Sequence, residues 1–277
     1  MSINYTAKFS EKVDERFYPK TVTHYGTNND YDFVGAKTIK ITSVSAGENK
    51  DYDRAKGYGA AQQLSNTIQE LTMTKDRSFK IVLDKMDEEE TKIKAGEVLA
   101  RQLREVTNPE IEKYRLEKML DIVSATAGSK ITGAAAKCYE NFLAANEKLD
   151  DEDVPEAGRV AFVTPAYINK IKLDPNFIKA SDIAQNMLVK GQVGEIDGIP
   201  LIKTKAVWMQ DNTTAAAIKY DCLICHKSAT VAPIKLEEYK VITDSEDYSG
   251  TVFCGRFYYD CFILDNKKKA LVGITRP

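Results

Sequence analysis

The 277 residues suffice for one large domain or two modest ones, and the apolar (43%) and charged (29%) fractions are those of a globular protein. A net charge of −2, from 39 basic and 41 acidic residues, is too balanced to grip nucleic acid or an anionic membrane through a strong field. No stretch reaches the roughly 18 apolar residues that cross a bilayer. The opening Met1-Ser2-Ile3-Asn4-Tyr5 lacks a basic segment leading into an apolar one, so no signal peptide is expected. The five cysteines, an odd number, are then expected as free thiols in a reducing cytoplasm.

In residues 1–30, Phe9, Val13 and Phe17 share helical spacing until Pro19 stops the pattern, which predicts an arm with a short helix. From Lys37 to Thr42, Ile39 and Ile41 alternate with polar residues. From Leu71 to Asp84, Leu71, Met73, Phe79, Ile81 and Leu83 share one parity, interrupted by Lys75 and Arg77. Period-two alternation predicts strands with one covered face. Read as a single strand, Leu71–Asp84 would span about 45 Å, long for a compact domain. Between the two lies the glycine-rich, charged stretch Gly47–Gly59. The expectation is a long two-stranded arm with a polar tip. An isolated hairpin is marginal in water, so the arm should need a surface outside its own domain.

Asp87-Glu88-Glu89-Glu90 reads as a capped helix start, with Ile93, Gly96, Leu99, Leu103 and Val106 on one stripe. Asn108-Pro109-Glu110 reads as the start of a second helix, ending near Gly128. A third, from about Thr132, carries Cys138, Phe142, Ala145 and Leu149 on one stripe, and Asp150–Asp153 with Pro155 and Gly158 reads as a connector. Then come a short buried strand Val160–Val163, a helix capped by Thr164-Pro165, and a helix from Asp182 to Lys190. A hairpin follows that turns at Asp197-Gly198, then a strand from Ile218 to about His226. Thr251–Leu264 and Ala270–Ile274 read as strands around a turn at Asp265–Lys269. The order gives an α+β chain with more than one lobe.

Cys222-Leu223-Ile224-Cys225-His226 matches the spacing of c-type haem attachment. Against it stand the missing export signal and the strand pattern, which puts Cys222 and Cys225 on opposite faces. A zinc site lacks a second ligand pair, since His24 and His226 are the only histidines. A soluble metal or redox protein built on residues 222–226 therefore stays a minor alternative. There is no Gly-x-Ser-x-Gly and no phosphate-binding glycine pattern. No catalytic residue, cofactor or metal site is predicted, and the chain is not expected to be an enzyme.

Several strings occur in an order that resembles the major capsid proteins of tailed bacteriophages, the Hong Kong 97-type fold shared by encapsulins. They are the hairpin of residues 37–84, the helix of 87–106, Asn108-Pro109-Glu110-Ile111-Glu112-Lys113-Tyr114-Arg115, Gly194–Pro200, His226–Ala229, and Gly255–Asp260 through Lys267. The resemblance implies an N-terminal arm (1–30), an extended E-loop (31–85), and a peripheral domain with a long spine helix (86–150). A mainly axial domain (151–230) and C-terminal strands returning to the peripheral domain (231–277) complete the layout.

It further implies hexamers and pentamers that close an icosahedral shell around a double-stranded DNA genome bound without sequence specificity. The virion would be assembled in the host bacterial cytoplasm, with no membrane involved. The partners implied are other copies of the chain, a separate scaffolding protein, a portal and decoration proteins. Lys50, Asp51, Asp53, Arg54 and Lys56 near the arm tip, and Lys75 and Arg77 midway along it, are the implied inter-subunit contacts. An encapsulin-type nanocompartment shell is the alternative that the same resemblance carries.

Overall fold

The computed structural model describes residues 21–28, 38–44, 49, 51–52, 54–55, 57, 61, 63, 65–84, 95–134, 137–174, 177, 194–213, 217–243 and 249–277. The readings for residues 1–20, 87–94 and 182–190 lie outside them.

One helical run crosses the molecule: α1 (Ala95–Gln102), a π-helical turn (Leu103–Thr107) and α2 (Asn108–Ala125). The sequence suggested two helices separated by a cap at Asn108. Instead, Thr107 and Asn108 are both helical (φ −65°, ψ −52° and φ −61°, ψ −46°), and Asn108 N–H donates to Leu103 O, five residues back. Pro109 explains the widened turn. It has no N–H, and its ring would strike the carbonyl four residues earlier in a regular α-helix. The join lets the chain accommodate proline without a break, giving a rod of about 46 Å at about 1.5 Å per residue.

The second half of this rod lies on a mixed six-stranded sheet. In spatial order its strands are β4 (Lys130–Ile131), β13 (Leu271–Thr275), β8 (Tyr220–His226), β5 (Arg159–Val163), β7 (Ile199–Lys203) and β6 (Glu195–Ile196). Leu116, Met119, Leu120 and Val123 of α2 pack with Phe162, Leu223, Cys225 and Leu271 on one face. On the other face, α3 (Cys138–Asp151) and α4 (Pro165–Leu173) cover Ala161, Val163, Cys222, Ile224 and Ile274. With helices on both sides, β5 is buried at every position, as continuous apolar strands are. The predicted stripe Cys138, Phe142, Ala145 and Leu149 is the buried face of α3, although the helix begins at Cys138 because residues 130–131 pair as β4 with β13. Thr164 Oγ1 accepts the N–H of Tyr167 at 3.3 Å, capping α4 as expected. Asp197 (φ 51°) and Gly198 (φ 72°) make the β6–β7 turn, the left-handed pair that a two-residue hairpin demands.

A second sheet is antiparallel, with β11 (Gly250–Tyr259) between β10 (Ile234–Ile242) and β3 (Lys75–Asp84). Phe79, Phe257 and Tyr259 on its inner face pack against Ile111 and Tyr114 of α2. Strand β10 was not anticipated, since a bulge between Lys235 and Glu237 shifts its register and breaks the alternation.

The hairpin is the main departure from expectation. β1 (Thr38–Val44) pairs with β2 (Asn66–Thr72) over its full length, from Thr38 opposite Thr72 to Val44 opposite Asn66. The predicted single strand Leu71–Asp84 is broken at Met73-Thr74. Its first part belongs to the hairpin, and its second part, β3, pairs with β11. The protruding arm is therefore shorter than the alternation alone implied.

Candidate assembly surfaces

The break between β2 and β3 has a definite chemical cause. Asp260, 3% exposed, accepts hydrogen bonds from Thr74 N–H (2.8 Å) and Thr74 Oγ1 (2.9 Å) on one carboxylate oxygen. The other oxygen accepts from Tyr114 Oη and from Cys261 N–H, both at 2.8 Å. Tyr258 Oη donates to Met73 O at 2.5 Å. Side chains of the body thus take the backbone groups that a continuous ladder would have used at 73–74. Asp260 lies within the Gly255–Asp260 string singled out from sequence, but nothing local marked it as the partner of Thr74.

Beyond that root the arm has an inner and an outer face. On the inner face, Ile39, Ile41, Leu71 and Met73 pack with Val231, Tyr258, Phe262 and Leu264. Val231 belongs to β9 (Thr230–Val231), which pairs with β12 (Phe262–Ile263). Gln69 adds a polar fastening: its Nε2 donates to Ile263 O (3.1 Å) and its Oε1 accepts from Asp265 N–H (3.0 Å). The expectation that the arm must rest on something outside its own domain is corrected over this stretch, where the arm rests on the chain's own body. On the outer face, Lys40 pairs with Glu70 (2.6 Å) and Thr38 Oγ1 lies 2.8 Å from Thr72 Oγ1. Farther out, Val44 and Ile68 stand 63% and 54% exposed, two apolar side chains open to a partner.

Of the contact residues proposed from sequence, Asp51 and Arg54 are exposed beyond the end of the β1–β2 ladder, beside Tyr52. Lys50, Asp53 and Lys56 lie outside the described residues. Lys75 and Arg77 are on β3 in the body rather than midway along the arm. Lys75 Nζ sits 5.2 Å from the Tyr114 ring centroid, and Arg77 Nε is 2.7 Å from Glu110 Oε1. Both share the helix-facing parity of Phe79 and Ile81. Charges interrupt the apolar row there because these side chains reach groups on α2.

The segment Asn108–Arg115 is where the parts meet. Glu110 takes Arg77 and, at 3.3 Å, the hydroxyl of Tyr259. Glu112, 4% exposed, accepts from Val22 N–H and Thr23 N–H (2.8 Å each) and from Thr23 Oγ1 (2.7 Å), which fastens residues 22–23 to the helix. Tyr114 reaches Asp260, and Arg115 donates to Thr23 Oγ1 (3.2 Å) and Ala232 O (3.1 Å). The N-terminal segment, the second sheet and the arm root are thus all held by one helical turn and its neighbours. The sequence marked this string as distinctive without revealing its partners, which lie far away along the chain.

Burial pushes the Tyr114 phenol well above its ordinary range, and the Asp260 carboxylate beside it adds to the effect. Burial, with Glu110, moves Tyr259 up to about 12. Burial also pushes the thiols of Cys225 and Cys261 up to about 12 and that of Cys222 higher still. Cys222 and Cys225 are fully buried on opposite faces of β8, so they do not present two thiols to one haem. His226 Nδ1 lies 2.8 Å from Ser228 Oγ, and its Nε2 lies 3.0 Å from Ala157 O. The second contact ties the end of β8 to the connector that leads into β5.

No family model matches the sequence, and neither does any curated protein. Solved structures do match, over almost the whole chain. A structure from Mycobacterium phage Che8 superposes with a TM-score of 0.78 at 17% identity, covering 99% of this chain and 98% of that one. A capsid structure of cyanophage P-SCSP1u gives 0.75 at 14% identity, with 98% and 93% covered. The mature capsid of bacteriophage PhiM1 gives 0.72 at 11% identity, with 98% and 91% covered. The fold is the α+β fold of phage capsid proteins, as the sequence resemblance implied.

Proposed function

We propose that this chain is the major capsid protein of a tailed bacteriophage, a structural subunit and not an enzyme. Hexamers and pentamers of it close an icosahedral shell around a double-stranded DNA genome. The observation that carries the proposal is the end-to-end match to capsid structures, covering 98–99% of this chain and over 90% of each matched one. The arm supports it. It leaves a body that already has its own core and carries exposed Val44 and Ile68 outward, as a contact made between copies would need.

In this proposal residues 1–30 form an N-terminal arm and 31–85 the E-loop. Residues 86–150 form a peripheral domain around the rod, 151–230 most of an axial domain, and 231–277 the returning strands. Lys50, Asp51, Asp53, Arg54 and Lys56 make charged contacts with the adjacent subunit, and the exposed Lys75 and Arg77 do so at the arm's root. A near-neutral chain fits a lining that encloses DNA without gripping it. The partners are further copies, a separate scaffolding protein, a portal and decoration proteins. Assembly takes place in the host cytoplasm, and the finished protein resides in the virion.

Negative-stain microscopy of the purified, overexpressed chain tests this, and large closed particles are expected. A protein that stays monomeric at high concentration contradicts it. Particles that enclose a protein cargo and no nucleic acid in their native host would favour an encapsulin-type shell instead.

A further inference from the structure

We propose that Gln69 is the positioning residue that sets the angle at which the arm leaves the body, and through that angle the curvature of the shell. The inference rests on the shell-forming reading above and names a residue that controls it.

Of the fastenings between arm and body described above, the one at Gln69 is farthest from the root. Thr74 and Met73 are held by Asp260 and Tyr258, Leu71 lies in the apolar cluster, and Gln69 comes next on the same face. Its amide uses both ends, donating to Ile263 O at 3.1 Å and accepting from Asp265 N–H at 3.0 Å. A carbonyl and an N–H two residues apart are the pair that a residue of a neighbouring parallel strand would engage. Ile263 pairs on its other side with Thr230 of β9. The Gln69 amide therefore adds the arm to the β9–β12 ribbon as a third strand would, through a side chain. Asp265 opens the turn Asp265–Ala270, which runs directly into β13 inside the six-stranded sheet. Arm tilt is thus tied to the core of the body.

No near relative of glutamine reproduces the fastening. Glutamate keeps the acceptor for Asp265 N–H but sets an oxygen against the Ile263 carbonyl. Asparagine is one methylene too short, and alanine removes both bonds. Gln69 is only half-buried, so these changes leave the apolar cores untouched.

The test uses the full chain as wild type, Gln69→Ala and Gln69→Glu, with two readouts. Hydrogen exchange at the Asp265 amide is expected to rise about tenfold in Gln69→Ala, the scale of one lost hydrogen bond, while amides of β5 and β8 stay as they are. Assembled particles of both variants are expected to spread in diameter or to remain open sheets. If Gln69→Ala does not fold, Gln69→Glu, which loses only the bond to Ile263 O, carries the particle readout. Variant particles with the wild-type diameter and spread overturn the inference alone, as does an unchanged Asp265 exchange rate in Gln69→Ala. A wild-type chain that forms no particles overturns the shell reading and this inference with it.

Discussion

Asp260 takes four hydrogen bonds on two oxygens at 3% exposure, so removing its carboxylate strands donors on three different residues, Thr74, Tyr114 and Cys261. Asp260→Ala is expected to lower unfolding free energy by about 3 kcal/mol, because buried donors left unmade cost more than the bonds contributed. Tyr114→Phe, which removes one of the four, is expected to cost about 1 kcal/mol. Chemical denaturation of the soluble subunit checks both, and equal losses would contradict the hub reading. The buried thiols and phenol make a pH prediction. Cys225 and Cys261, raised from 9.0 to about 12, and Tyr259, raised from 10.0 to about 12, are neutral when folded and ionise more readily when unfolded. Folded values above unfolded ones mean that the contribution is intact below about pH 9 and falls away as pH rises toward 12. The loss should run at about 1.4 kcal/mol per pH unit for each titrating group. Denaturation midpoints measured from pH 8 to 10.5 should therefore fall progressively, and less steeply in Cys261→Ala.

At the scale of elements, legibility depended on where each element's partners lie. The α3 stripe and the Asp197-Gly198 turn were read correctly because their determinants sit within a few residues. The break at Met73-Thr74 was not, because the carboxylate that makes it is 186 residues away in sequence. Lys75 and Arg77 were the visible trace of that break, since their charges answer Tyr114 and Glu110 rather than a partner across the arm. The rod was read as two helices because proline and asparagine usually mark a start, and a π-turn removes that meaning. In the second sheet, Gly255 lets the rings of Phe79 and Tyr239 approach across β11, their centroids 6.4 Å apart. A Cβ there would lie 2.3 Å from Phe79 Cε1. Gly255→Ala is expected to destabilise the subunit by about 1–3 kcal/mol through forced displacement of that ring, and a thermal melt would reveal it. An unshifted melting temperature would show that the sheet yields more easily than its packing implies.

For the whole molecule, the body holds the six-stranded sheet, the three-stranded sheet, the β9–β12 ribbon and a shared rod, while the arm projects beyond them with apolar side chains exposed at its outer part. Deleting residues 47–59 should leave a soluble, folded subunit with the wild-type circular dichroism spectrum. Its capacity to form stable shells should be lost. Normal shells from the deletion would remove the arm from the account of assembly. The most direct measurement is a cryo-electron-microscopy reconstruction of particles formed by the full chain. Hexamers and pentamers are expected in a closed shell, with the β1–β2 arm lying across an adjacent subunit and Asp51 and Arg54 in contact with it. Discrete monomers or dimers, or a shell whose arms touch only their own subunit, would contradict it.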